Sequence, residues 1–361
     1  MARAAKAEIN LAALKENYLL AREVSGNKAV AIIKANAYGH GAVEVARYLS
    51  DTADAFGVAC IEEAVELKEA GIEQPVALLE GFFEANELEL VDRYQLITAV
   101  HSAWQVEAIE QASFQQPITV WVKFDSGMHR LGFDEKGFVD AIERLKDLPQ
   151  VSELVMMTHF ACADEVEGDY TPTQIKNFKR VSAAYDLPVC MANSAGTLQW
   201  PEAHGNWVRP GIMLYGADPM DLPTENGARL KTVMTLSSAL IAIRELPVGE
   251  PIGYGRRFVT DKPTRVGVVA MGYADGYPRH AIDGTPVAVN GKMSRVIGKV
   301  SMDMMTVDLT DQPDAKIGDP VELWGEQVDV NKVAACADTI AYTLYTGITR
   351  RVPLVYKNSV K

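Results

Sequence analysis

The sequence predicts an α/β fold: a parallel (β/α)8 TIM-type barrel over residues 1–225, followed by a mostly β domain over residues 226–361. Three observations carry this reading. Eight short apolar runs recur through the first 215 residues with amphipathic stretches between them, the rhythm of a parallel barrel. No GxGxxG follows the first run, which argues against a doubly wound open sheet. From about Thr232 the texture changes to alternation and turns, with Asn290-Gly291 between two short runs as a type I′ hairpin signal.

Taken in order, the predicted barrel strands are Val30–Ile33, Ala55–Val58, Val76–Leu79, Leu96–Val100, Ile118–Phe124, Leu154–Phe160, Val189–Met191 and Trp207–Val208. Among the helices, Ile61–Gly71 places Ile61, Ala64, Val65 and Leu67 on one face and ends on a glycine suited to a C-cap. Residues 102–112 and 170–185 read as helices too, the latter with Thr171-Pro172 as N-cap and first-turn pair. The polar, turn-rich stretch Asp221–Leu230 marks the domain boundary. Beyond it, strands are expected at 234–246, 265–269, 305–307 and 321–323, with a short helix pair in 330–349 capped by Asn331.

Composition narrows the function. The 361 residues are 48% hydrophobic and carry a net charge of −13. No basic face suited to a nucleic-acid backbone is evident. No apolar run approaches membrane length, and the N-terminal MARAAKAEIN lacks the apolar core of a signal peptide. The four cysteines show no CxxC spacing, which fits reduced thiols in the cytoplasm and argues against both a disulfide framework and a bound metal.

Chemistry in a parallel barrel gathers at the C-terminal strand ends. Lys34 closes the first run, Lys123, Asp125 and Arg130 follow the fifth, and His159 closes the sixth. Asn193 and Ser194 follow the seventh run, and Arg209 closes the eighth. A lysine partly desolvated at such a mouth can condense with an aldehyde. The stretch RPGIMLYG offers Gly211 and the amides of Gly211 and Ile212 to a phosphate, and Ser194 and Tyr38 could add hydroxyls. These residues permit a pyridoxal 5'-phosphate site. Arg209, two residues before Gly211, would face the pyridine nitrogen and keep it unprotonated. The weaker electron sink that results favours proton exchange at the substrate Cα over transamination.

The sequence resembles the bacterial alanine racemases over essentially its full length. The resemblance rests on AIIKANAYGHG, KFDSGMHRLGF, THFACADE, WVRPGIMLYG, GEPIGYGRRF, GVVAMGYADGYPR and GKVSMDMMTVDL. It implies a cytoplasmic enzyme that interconverts L- and D-alanine with pyridoxal phosphate, supplying or catabolising D-alanine. Lys34 would hold the cofactor covalently and act as one acid/base. Tyr254 would be the second, arriving from the partner subunit of a homodimer, with His159 linking it to Arg209. A phenol is a weak base near neutrality without a cationic neighbourhood, which Arg209 acting through His159 would supply. Tyr38, Ser194, Gly211, Ile212 and Tyr342 match phosphate-binding positions, with Asn193 beside them. Arg130 matches the arginine at the cofactor hydroxyl and substrate carboxylate, and Met302 a substrate-binding backbone position. Lys123 matches a lysine that is carbamylated in several members. Tyr273, Tyr277, Arg279 and Tyr342 would line a narrow channel.

Three rivals remain. Decarboxylases and dehydratases on the same barrel lack VRPGIMLYG paired with IGYG. Non-catalytic carriers of the cofactor lack the β domain, and with it Tyr254. An amino-acid racemase of broader specificity within the same family is the alternative, since Ser301 and Tyr345 depart from residues common at those positions.

Overall fold

The computed structural model describes residues 3–358. Eight parallel strands close a barrel: Lys28–Ile32, Ala55–Val58, Val76–Leu78, Ile97–Val100, Ile118–Lys123, Val151–Met157, Val189–Cys190 and Trp207–Val208. The last pairs with the first through Lys28↔Trp207 and Ala29↔Val208, so no edge is left open. All eight strands end on buried residues, and the second, third and fourth are buried throughout or nearly so, the pattern of a sheet covered on both faces. Helices such as Ala42–Leu49 and Glu135–Leu145 lay an apolar stripe against them while their outer faces stay charged.

The rest of the chain builds a largely antiparallel sheet around the long strand Met234–Leu246, which pairs with Thr264–Val269 on one stretch and Pro320–Trp324 on another. The hairpin Pro286–Val289/Lys292–Arg295 turns at Asn290 and Gly291 with φ of 49° and 76°, the positive pair that a type I′ turn demands. Tyr277, expected at a channel, is instead a buried core residue stacked on Trp324 at 6.0 Å.

The division expected at 225/226 needs one correction. Lys6–Asn10 lies in the β-domain sheet, antiparallel to Met234–Leu246 and parallel to Leu354–Lys357. Its alternating burial is that of a strand with one wet face, but five residues are too few for the pattern to stand out in the sequence. Asn10 then ends this strand and caps the first barrel helix, Leu11–Ser25, its side chain accepting from the Ala13 N–H at 3.2 Å. The β sheet and the barrel are thus joined at the start of the chain as well as at residues 221–230.

Two caps also differ from expectation. Asp329, not Asn331, caps the helix Val330–Ala335, and Asn331 donates to the Asp218 carbonyl at 2.9 Å. The helix Tyr170–Ser182 starts one residue before Thr171, because a proline at its third position removes an N–H that has no helical partner there.

Ile9 is fully buried where strand and helix meet. Ile9→Ala should lower the unfolding free energy by about 2–5 kcal/mol, read from the urea midpoint at unchanged m-value.

Candidate active site

The mouth of the barrel holds a cavity of about 380 Å³. Lys34, Tyr38, Lys123, Arg130, His159, Asn193, Ser194, Arg209, Gly211, Ile212 and Tyr342 all line it, so residues spread over three hundred positions meet at one place. Tyr254 and Met302 do not line it. They sit on the β domain with 67% and 52% of their surface exposed.

The first barrel strand does not run on to Lys34. It ends at Ile32, and Lys34–Gly39 forms a single left-handed turn, with Ala35, Asn36, Ala37 and Tyr38 at φ between 51° and 54°. Left-handed helix costs L-residues about 1–2 kcal/mol each, so four in succession need external support. Glu63 supplies part of it, accepting from the Ala35 N–H at 2.6 Å. Asn36 accepts from the Ala42 N–H at 2.9 Å. Gly39 continues the turn at φ 77°, where a Cβ would lie 2.2 Å from the Tyr345 carbonyl oxygen. The tight winding aims both Lys34 and Tyr38 into the cavity.

Arg209 is 4% exposed and is met on several sides. Its guanidinium donates to the carbonyls of Cys190 (2.8 Å), Thr158 (2.7 Å) and Met191 (3.1 Å). It also lies 3.3 Å from His159 Nδ1. A guanidinium can only donate, so Nδ1 is the bare acceptor and the proton sits on Nε2. Burial and the neighbouring Arg209 cation hold the imidazole well below its ordinary value, and His159 is neutral near pH 7.

Lys123, 6% exposed, sits in the same positive field. Burial, then Arg209 and Arg130, lower its ammonium to about 8. At the opposite end, Ser194 Oγ accepts from the N–H groups of Gly211 (2.8 Å) and Met213 (3.3 Å). A Cβ on Gly211 would stand 2.7 Å from the Tyr38 hydroxyl, so only glycine lets that phenol approach the backbone. Burial raises the phenols of Tyr38 and Tyr342, the latter to about 12, so both remain hydrogen-bond donors. Asn193 contributes chiefly as a cap, its side-chain Oδ1 accepting from the Gly196 N–H at 2.9 Å.

Sequence reasoning missed Glu80, the carboxylate on the cavity wall, and Cys190, whose sulfur lies 3.0 Å from Arg209. Glu80 follows the third apolar run and was findable by the strand-end rule; Cys190, inside an apolar run, carried no such signal.

A family model described as alanine racemase, N-terminal domain, matches residues 9–219, and one described as alanine racemase, C-terminal domain, matches residues 233–356. The chain belongs to the alanine racemase family. Among its relatives, a protein of Pseudomonas putida named "Alanine racemase, catabolic" is 55% identical over 98% of this chain and 99% of its own. An alanine racemase of Chromohalobacter salexigens is 52% identical over 99% of each. The solved structure of a biosynthetic alanine racemase from Pseudomonas aeruginosa superposes with a TM-score of 0.95 at 45% identity, covering 99% of this chain and 100% of that one. That of a Bartonella henselae alanine racemase, with covalently bound pyridoxal phosphate, gives 0.88 at 31% identity, covering 98% and 99%. Within this family fold, among the described residues, no helix is long and apolar enough to cross a membrane.

An amine lowered to about 8 is cationic below that pH and increasingly neutral above it. Trace acetylation across a pH series should therefore find Lys123 half-reactive near pH 8, and ordinary surface lysines only above pH 10. Protection that appears when bicarbonate is added would mark a carbamate on Lys123.

Proposed function

We propose that this protein is a cytoplasmic, pyridoxal-phosphate-dependent alanine racemase that acts as a homodimer. The observation that carries the proposal is the placement of Lys34 beside the Arg209–His159 couple at one end of a cavity whose other end is a cradle of hydroxyl and amide donors.

The residues present fit the cofactor. Tyr38, Ser194, Tyr342 and the Gly211–Ile212 backbone surround a space that the absent Gly211 side chain leaves open; with the Gly211 N–H given to Ser194 Oγ, the three hydroxyls and the Ile212 N–H are the donors that suit a phosphate. Four cations, Lys34, Lys123, Arg130 and Arg209, line the cavity against the single carboxylate of Glu80, and so favour an anionic occupant. Lys34 would carry the cofactor. Arg209 has both NH groups engaged by the protein, which leaves Nε to meet a ring nitrogen. When bound, pyridoxal phosphate supplies the electron sink that makes the substrate Cα–H acidic.

The chain's residues then handle the proton. Lys34 Nζ removes or returns it on one face of Cα. Tyr254 of the partner subunit does so on the other, its hydroxyl within reach of the His159 Nε2–H. Arg209 holds His159 in the tautomer this needs. Arg130 and the Met302 amide of the partner subunit hold the substrate carboxylate. Lys123 as a carbamate would carry negative charge next to Arg130. Support for the dimer comes from the β domain. Tyr254, Tyr273, Met302 and Met304 are all exposed in one chain, and the turns that carry Tyr273 and the two methionines are joined by hydrogen bonds such as Tyr273 N–H to the Ser301 carbonyl at 3.0 Å. Clustered apolar side chains of this kind mark an interface.

Purified protein given L-alanine in deuterium oxide should yield racemic alanine deuterated at Cα, followed by chiral chromatography. Retention of the L-enantiomer with no deuterium would refute the proposal. Lys34→Ala should lose the cofactor absorbance near roughly 420 nm. Tyr254→Phe should keep it and lose about 10²–10⁴-fold in rate.

The composite site has its own test. Lys34→Ala and Tyr254→Phe chains, each inactive alone, should recover about a quarter of wild-type activity after dissociation and remixing. Half the dimers would then be mixed, and each mixed dimer would hold one intact site. No recovery, with mixed dimers present, would place both groups on one chain.

A further inference from the structure

We infer that His40 is a positioning residue for the cofactor site, its Nδ1–H holding the left-handed turn Ala35–Tyr38 in the form that aims Lys34 and Tyr38 into one cavity. The inference rests on the cofactor assignment above, which gives those two side chains their task.

His40 is fully buried directly behind the turn. Its Nδ1 lies 2.9 Å from the Tyr38 carbonyl oxygen and 3.1 Å from that of Ala37. Carbonyl oxygens only accept, so Nδ1 must carry the proton, and Nε2 is left bare. Nε2 is buried and has no partner among the described residues. A buried polar atom without a partner is costly, and the ring retains it because the opposite nitrogen serves the backbone. Burial also lowers the imidazole to about 4, so it stays neutral and keeps a single tautomer across the physiological range.

The ring's surroundings lead to the cavity. His40 packs against Tyr215 at 4.5 Å and edge-on to Tyr345 at 4.9 Å. Tyr215 stacks in turn on Tyr38 at 4.8 Å and donates its hydroxyl to the Ile32 carbonyl at 2.8 Å, the last residue of the strand before the turn. Tyr345 presents its carbonyl oxygen to Gly39. His40 is therefore wedged between the aromatic that backs Tyr38 and the segment that forces glycine at position 39. Glu63 and Asn36 secure the flanks of the turn, and His40 takes the carbonyls at its C-terminal end.

A donor-position swap separates this role from general packing. In His40→Asn the amide nitrogen stands where Nδ1 stood; in His40→Gln it lies one atom farther out. Apo-dimers titrated with pyridoxal phosphate should bind within about threefold of wild type for His40→Asn and at least tenfold more weakly for His40→Gln. Hydrogen–deuterium exchange over residues 34–42 should speed up only in His40→Gln. Wild-type binding by His40→Gln, or equal losses in both variants, would overturn the inference. Should neither variant fold, ¹⁵N NMR of the wild-type histidines decides it: a His40 with its proton on Nε2 overturns it, and one with its proton on Nδ1 supports it. If the wild-type chain binds no pyridoxal phosphate, the cofactor reading falls, while the exchange and tautomer measurements still judge the hold of His40 on the turn.

Discussion

A guanidinium cannot lose its proton at the mouth of a barrel, so it must be met by acceptors, and the acceptors within reach of Arg209 are the ends of neighbouring strands. Its bonds to Thr158, Cys190 and Met191 draw together the segments that leave Val151–Met157 and Val189–Cys190, and Arg209 itself leaves Trp207–Val208. The Cys190 carbonyl also accepts from the Thr158 N–H at 3.2 Å, but carbonyls at strand ends run short of ladder partners, and burial makes an unpaired one costly. One side chain thus satisfies them and fixes the rim. A lysine, a point charge lacking the planar fork, could not hold that many carbonyls in one plane. The partners that satisfy Arg209 also set the tautomer of His159, whose Nδ1 is left as the acceptor.

The same cation orders the electrostatics of the cavity. Together with burial it holds His159 neutral and, with Arg130, lowers Lys123. Burial acts in the opposite direction on the phenols, which stay protonated. The cavity therefore has two chemically distinct ends, one rich in cations and one lined by neutral hydroxyl and amide donors.

The sequence resolved the barrel well because each strand is a short apolar run and each reactive residue falls just past one. That rule located Lys34, Lys123, His159, Ser194 and Arg209 on a single cavity. It failed where the determinant is not periodic. The strand Lys6–Asn10 is recognisable only by its pairing with Met234–Leu246, more than two hundred residues away. The left-handed turn after Ile33 was invisible, because Asn36 alone favours a positive φ and the alanines on either side of it do not announce four in succession. What enforces it lies elsewhere, in Glu63, Tyr345 and His40. His40 accordingly had no assigned role in the sequence, though it stands within the most recognisable motif of the chain.

Geometry also accounts for the separation of Tyr254 from Lys34. All eight strands of a parallel barrel point the same way, so every side chain at their C-terminal ends approaches a bound molecule from one side or from the rim. Proton exchange that inverts a carbon centre needs a group on each face. A barrel can provide the first with a lysine held by a tight turn, but its own strands offer no scaffold above the mouth. The β domain could supply one, yet its Tyr254 and Met302 do not line the mouth of their own barrel. The second connection through Lys6–Asn10, paired into the β sheet and capped onto the first barrel helix, opposes a hinge that would swing them over it. A second copy related by two-fold symmetry would resolve this without deforming either domain: in the dimer proposed above, each β domain would cover the other chain's barrel, and the exposed tyrosines and methionines would become the closed side of two sites at once.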